Sequence, residues 1–275
     1  MTPPSRVLRD VVFAEYPGYR PLSLDLHLPA GDGPHPVVLQ LHGGGWRVGT
    51  RAVFTPLVSV ARSFGRITEA GFAVAAVDYR LSGEATYPAQ VDDVEHALDW
   101  IRERPELDAA RVVLWGGSAG GTLAALLGMR RAADIRGVID WYGVSDLLEM
   151  PRDASGPSRE DLWLGGSVTS IPELAIQASP ARNVVHDAPP FLLAHGVDDT
   201  DVPPAQSELL AAALRAADVD VELHLEPGAG HFWRGLGEEA TDALFERAIA
   251  FARRVTTTPP TDPAPAGRDA KVHAS

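Results

Sequence analysis

The stretch RVVLWGGSAGGTLAALLGM (Arg111–Met129) reads as a short strand, a glycine-dense turn and an apolar helix. At its centre, Gly116-Gly117-Ser118-Ala119-Gly120 matches G-x-S-x-G. A serine nucleophile on such a turn has strained backbone angles that project its oxygen from the C-terminal edge of a sheet. Side chains two residues before and after it would collide with the adjoining strand and helix, so glycine suits both positions. The helix that follows directs its N-terminal dipole at charge developing on a substrate oxygen. A glycine-rich turn with a capping serine would share the same five letters. The strand before it and the helix after it favour Ser118 as a nucleophile.

Working outward, short apolar, β-branched runs alternate with stretches of helical period, the pattern of βαβ units and a mostly parallel sheet. Eight strands are expected, at Val7–Phe13, Leu22–Leu28, Val37–Leu41, Ala73–Asp78, Val112–Leu114, Gly137–Trp141, Phe191–Ala194 and Val221–Leu225. The runs VVLQL and FAVAAV are nearly continuous in apolar residues, as strands covered on both faces should be. The first two strands alternate more, which suits antiparallel strands at an edge. Helices are expected from Pro88 to Pro105, after Ser118, after Pro203-Pro204, and from about Glu238 to Arg254. Between Val144 and Ala188 lie about 45 residues without a clear strand, far more than an ordinary connection. Trp163 and Leu164 give this insertion something to bury, so it is expected to be an ordered cap over the site.

Upstream, VVLQL runs into His42-Gly43-Gly44-Gly45-Trp46. Consecutive glycines after a strand let backbone amides turn inward and hold the oxyanion of an acyl-transfer intermediate. The amide of Ala119, the residue after the serine, would complete that set. A phosphate-binding loop would need G-x-G-x-x-G or a GK[ST] ending, and neither is present. His42 is expected to support the loop by hydrogen bonding rather than to act as a base.

Serine catalysis also needs an imidazole within hydrogen-bond reach and a carboxylate that holds its tautomer. In this chain order the acid should follow the serine and the histidine should come last, each at a strand end. After FLLA comes HGVDDTDVP (His195–Pro203), and after VELHLE comes PGAGH (Pro227–His231). His231 stands in a glycine-flanked loop, whereas His224 lies inside a strand. Asp198, Asp199 and Asp201 all remain open as the acid on position alone.

Taken in order, HGGGW, DYRL (Asp78–Leu81), GGSAGG (Gly116–Gly121), ASP (Ala178–Pro180), HGVDDTDVP and GAGH resemble the α/β-hydrolase esterases. They are closest to the small carboxylesterases that include hormone-sensitive-lipase-like, feruloyl- and acetyl-esterase-like and kynurenine-formamidase-like members. The resemblance spans about residues 20–252. It implies an α/β-hydrolase fold with an eight-stranded, mostly parallel sheet flanked by helices and a small cap inserted after the sixth strand. It implies Ser118, Asp199 and His231 as the catalytic residues, with Gly44, Gly45 and Ala119 as the oxyanion donors. Trp46, Trp163, Phe232 and Trp233 are the candidates for lining the substrate pocket. Many hormone-sensitive-lipase-like members carry an acidic residue before the serine and a helical cap ahead of the first strands. Here that residue is Gly117 and the first expected strand begins at Val7, which leaves cover of the pocket to residues 144–188.

The activity implied is hydrolysis of small to medium acyl esters through an acyl-enzyme, with no cofactor and no metal. Amidases, formamidases, lactonases, thioesterases and some peptidases use the same machinery. A non-hydrolytic lyase or cyclase is a rival from another enzyme class. A ligand receptor on this fold would carry a broken triad, and all three members are present here.

Bulk properties agree. The chain has 275 residues, enough for one domain, here expected over 1–255, with ordinary hydrophobic (45%) and charged (22%) fractions. Its formal charge, 24 − 37 = −13, repels phosphate backbones and anionic lipid, so nucleic-acid and membrane partners are not expected. Cysteine is absent, which excludes disulfides and thiolate catalysis. With no signal-peptide-like apolar run in MTPPSRVLRDVV, a cytoplasmic location is expected. The proline-rich segment 256–275 is expected to be disordered.

Overall fold

The computed structural model describes residues 5–152 and 156–257. Eight strands form one sheet: β1 (Arg6–Ala14), β2 (Leu22–Leu28), β3 (His35–Leu41), β4 (Ala73–Val77), β5 (Leu107–Gly117), β6 (Gly137–Trp141), β7 (Phe191–Gly196) and β8 (Val221–Glu226). Their order across the sheet is β1-β2-β4-β3-β5-β6-β7-β8. β1 pairs antiparallel with β2, and β2 antiparallel with β4, while the pairings from β4 through β8 are parallel. The alternating strands are thus the antiparallel edge, and the continuous apolar runs lie inside.

Helices α1 (Arg66–Glu69), α2 (Ala89–Arg102), α3 (Ala119–Arg130), α4 (Arg159–Leu164), α5 (Pro172–Gln177), α6 (Ala205–Ala216) and α7 (Glu238–Thr257) complete the layers. Side chains alternate across the sheet. Val37, Leu39 and Leu41 of β3 join a core with Val94 and Leu98 of α2, Leu123 and Leu127 of α3 and Leu210 of α6. Val38 points the other way, into a second core with Ile67 of α1 and Phe245, Ala248 and Phe251 of α7. Trp115 and Trp141 anchor that second core, their rings edge to face at 5.0 Å.

Several strand ends differ by one or two residues from expectation, and three departures are larger. β5 runs well beyond Val112–Leu114 at both ends, to Leu107 and Gly117. A turn of π-helix over Ala61–Gly65 leads into α1, in a segment where no helix was expected. Gly65 and Gly71 bracket this helix, so it is too short to show a full amphipathic period. Finally, α7 continues to Thr257 with Thr256 buried, so the domain outruns its expected limit at 255. The remainder of the expected disordered tail, 258–275, lies outside the described residues.

Between β6 and β7 the described residues form α4, α5 and two single 3₁₀ turns, at Leu147–Glu149 and Pro180–Arg182. α4 is only six residues long but closed at both ends. The Ser158 hydroxyl accepts from the Asp161 amide (3.1 Å), and the Asp161 carboxylate accepts from the Ser158 amide (2.9 Å). Gly165 ends the helix in the left-handed region. Such reciprocal capping keeps a single-turn element at a defined place despite its poor intrinsic stability.

No helix among the described residues is long and apolar enough to cross a membrane.

Candidate active site

The site gathers at the C-terminal ends of β3, β5, β7 and β8, because parallel strands deliver their ends to one edge. Ser118 sits between β5 and α3 at φ 55°, ψ −125°, a strained conformation held by its amide's bond to the Trp141 carbonyl (2.8 Å). Space explains the flanking glycines. A Cβ on Gly116 would run into the Gly120 carbonyl, and one on Gly120 into the carbonyl of Leu41.

His231 Nε2 lies 3.0 Å from Ser118 Oγ, and its Nδ1 lies 2.6 Å from Asp199 Oδ2. The carboxylate accepts the Nδ1 proton, which leaves Nε2 as the acceptor for the serine hydroxyl. All three residues are buried, at 3%, 3% and 5% exposure for Ser118, His231 and Asp199. The other two aspartates point elsewhere. Asp198 is exposed, and Asp201 faces the Arg234 guanidinium at 3.6 Å.

Asp199 is held on every side. Its Oδ1 accepts from the amides of Asp201 and Val202, both at 2.9 Å. Burial alone would raise the carboxyl, yet hydrogen bonds from His195, His231 and the Val202 amide more than offset it. They hold Asp199 far below the usual carboxylate range, ionised at any working pH. His195 was not among the expected site residues. It is fully buried, with Nε2 2.9 Å from the Val202 carbonyl and 3.3 Å from Asp199 Oδ2. Two acceptors there place a proton on Nε2, so Nδ1 accepts from the Ser207 hydroxyl at 2.7 Å. The only sequence signal for it was its place at the head of HGVDD, at the end of β7.

Asp140, in β6, is a second buried carboxyl. Burial lifts it to about 7, against the pull of His195 and of the Gly143 amide, which donates to it at 3.0 Å.

The glycine loop after β3 packs directly beside the serine. A Cβ on Gly43 would lie 3.3 Å from Ser118 Cβ. Gly44 has φ 120°, open only to glycine, and accepts from the amides of Arg47 and Val48 at 3.1 and 3.2 Å. Among the described residues, the amides of Gly44 and Gly45 donate no hydrogen bond. Ala119 is the first residue of α3, so its amide has no carbonyl one turn back. These three amides therefore have no internal acceptor among the described residues. His42 stacks on Tyr79 at 4.2 Å, its Nδ1 2.8 Å from the Gly43 carbonyl, while the Tyr79 hydroxyl donates to the His42 carbonyl at 2.8 Å. Burial pushes the His42 imidazole down, keeping it a neutral prop of the loop.

Three of the four aromatics expected to line a substrate pocket do not offer a free surface. Trp46 (1% exposed) and Trp163 (0%) lie face to face at 4.0 Å, and the Trp163 indole donates to Gln90 Oε1 at 2.9 Å. Trp233 (2%) packs edge to face on Trp141 and Tyr142. Large rings bury more apolar area against one another than against a transient ligand, so they serve as walls of the fold. Phe232 is half-buried, its ring 4.3 Å from that of His231. Tyr142, missed in the sequence, covers His231 from another side at 4.9 Å.

The BD-FAE family pattern matches residues 24–214. Esterase LipQ of Mycobacterium tuberculosis is 34% identical over 247 residues, which cover 80% of this chain and 56% of LipQ. Esterase LipC of the same organism is 30% identical, over 72% of this chain and 53% of LipC. The chain thus spans about half the length of these curated relatives. In fold, it superposes on a truncated carbohydrate esterase from gut microbiota with a TM-score of 0.80 at 24% identity, covering 92% of this chain and 97% of the other. The extent of the family match, and identities of 30% or more over most of its length, mean that this chain belongs to the BD-FAE family of α/β-hydrolase-fold esterases.

Proposed function

We propose that the protein is a serine carboxylesterase that hydrolyses small to medium acyl esters through an acyl-enzyme. The observation that carries this reading is the unbroken hydrogen-bonded chain from Asp199 through His231 to Ser118, at 2.6 and 3.0 Å. His231 takes the Ser118 proton as Oγ attacks the ester carbonyl. The amides of Gly44, Gly45 and Ala119 receive the developing oxyanion, and Asp199 stabilises the imidazolium. The alcohol leaves with the proton from His231, which then activates water to release the acid and free Ser118. Nothing in this sequence of steps calls on a metal or an organic cofactor. The substrate is a small molecule, and action in the cytoplasm belongs to the same proposal.

Ser118→Ala tests it. The variant should keep the wild-type circular dichroism and lose hydrolysis of p-nitrophenyl butyrate to background. Near-wild-type turnover in a folded Ser118→Ala protein would overturn the reading. Parallel assays with anilide, N-formyl and lactone substrates separate ester cleavage from the other reactions this machinery performs.

A further inference from the structure

The glycine loop carries a cation on its surface that no described residue pairs with. Arg159, the first residue of α4, lays its side-chain stem across Gly45. A Cβ on that glycine would lie 2.6 Å from Arg159 Cδ and 3.2 Å from Cγ. Gly45, one of the proposed oxyanion donors, is thus bare where the stem of Arg159 crosses it. Arg159 is exposed and, among the described residues, has neither an ion pair nor a hydrogen bond. Its neighbours in the same insertion are engaged: Arg152 with Asp161 at 3.3 Å, and Arg182 with Asp146 at 2.7 Å. In a chain with 37 acidic residues against 24 basic ones, carboxylate partners are plentiful. An exposed guanidinium without a carboxylate partner among the described residues, on a stem packed over Gly45, is open to an anionic group, on a surface whose net charge otherwise repels anions.

The helix that presents it is anchored. The Ser158–Asp161 capping pair fixes the start of α4, and the Trp46–Trp163 stack ties its end to the glycine loop. Arg159 is thus carried on a backbone held in register with the donors. A guanidinium offers a planar fork of donors that matches a carboxylate with two parallel hydrogen bonds.

We infer that Arg159 selects esters bearing a carboxylate, and that the natural substrate is an anionic ester whose negative end pairs with this guanidinium. The inference rests on the esterase reading and deepens it by naming the substrate class.

The test compares kcat/KM for two matched pairs of esters. Mono-p-nitrophenyl succinate and p-nitrophenyl pentanoate differ in charge on the acyl side; 4-acetoxybenzoate and 4-methylphenyl acetate differ on the alcohol side. The readout is the anionic-to-neutral ratio within each pair, in wild type, Arg159→Ala, Arg159→Lys and, as a distant loss of the same charge, Arg247→Ala on α7. Arg159→Ala should lower the ratio about 10- to 100-fold in at least one pair, the loss of a charge-assisted hydrogen-bonded contact. Arg159→Lys should recover part of it, and Arg247→Ala should leave it unchanged. Added salt should narrow the wild-type preference. An unchanged ratio in both pairs, or an equal fall in Arg247→Ala, overturns the role of Arg159. Failure of wild type to cleave even the neutral esters would instead count against the esterase reading itself.

Discussion

Trp46 lies flat against Trp163, ring centroids 4.0 Å apart and planes within 4°. One ring belongs to the glycine loop after β3 and the other to α4, in the segment between β6 and β7. Around the pair, Gln90 binds the Trp163 indole and also donates to the carbonyls of Arg80 and Ala85, at 2.9 and 2.7 Å. The Trp163 carbonyl accepts from the Tyr87 amide at 2.8 Å, and the Trp46 carbonyl from the Ser82 amide at 2.7 Å. Loop, insertion and the start of α2 are therefore one packed unit.

Trp163→Ala should cost about 3–5 kcal/mol of stability, the usual range for deleting a fully buried indole. It should also lower kcat, because Trp46 loses the surface that holds the glycine loop. Denaturant unfolding and steady-state kinetics measure the two effects. A stable variant with wild-type kcat would show that the loop does not depend on the stack.

Asp199→Asn should reduce kcat/KM on the order of 10⁴-fold, since an amide in place of the carboxylate favours the wrong imidazole tautomer. Asp201→Asn removes only a half-exposed partner of Arg234 and should cost less than about fivefold. The backbone amide of residue 201, which bonds Asp199, survives that change. Initial rates on p-nitrophenyl butyrate decide between them, and the reverse order would move the acid.

Asp140 is a proton-linked liability. Its carboxyl is raised to about 7 by burial, from an ordinary value of 3.8. The unfolded chain therefore releases this proton at lower pH than the folded one does. Its effect on stability is smallest below the unfolded value, then grows unfavourable as pH rises towards 7, reaching up to about 4 kcal/mol. Asp140→Asn keeps an acceptor for the Gly143 amide and removes the titration. Relative to wild type, the variant should gain stability between pH 5 and pH 8. Urea melts at both values check this, and a difference that does not change with pH would refute it.

Most of the sheet was legible because parallel strands buried on both faces are written as unbroken apolar runs, as in AVAAV of β4. The elbow at Ser118 was legible for a different reason. Two close backbone approaches, at Gly116 and Gly120, leave glycine no substitute, so the geometry is printed in the residues themselves. The insertion was legible only as an interruption. Its helices are six residues each, too short for a period to emerge, and they are held by a capping pair and one indole rather than by an amphipathic stripe. Arg159 was invisible for that reason: its significance lies in crossing Gly45, a contact between distant segments. His195 was hidden by its own motif, since nothing local distinguishes a buried imidazole beside a carboxylate from one that merely ends a strand.

The strand ends climb in steps. The Ser118 amide bonds the carbonyl of Trp141, the last residue of β6, the Tyr142 amide bonds the Ala194 carbonyl in β7, and the Asp198 amide bonds the Ala229 carbonyl beyond β8, at 2.8, 2.8 and 2.9 Å. Ser118, Asp199 and His231 are thus spaced by a ladder of four adjacent strands contributed by about half the chain. Turnover is therefore a reporter of assembly. Refolding followed by turnover should report the docking of β8, the strand that leads into His231 and brings it to Ser118.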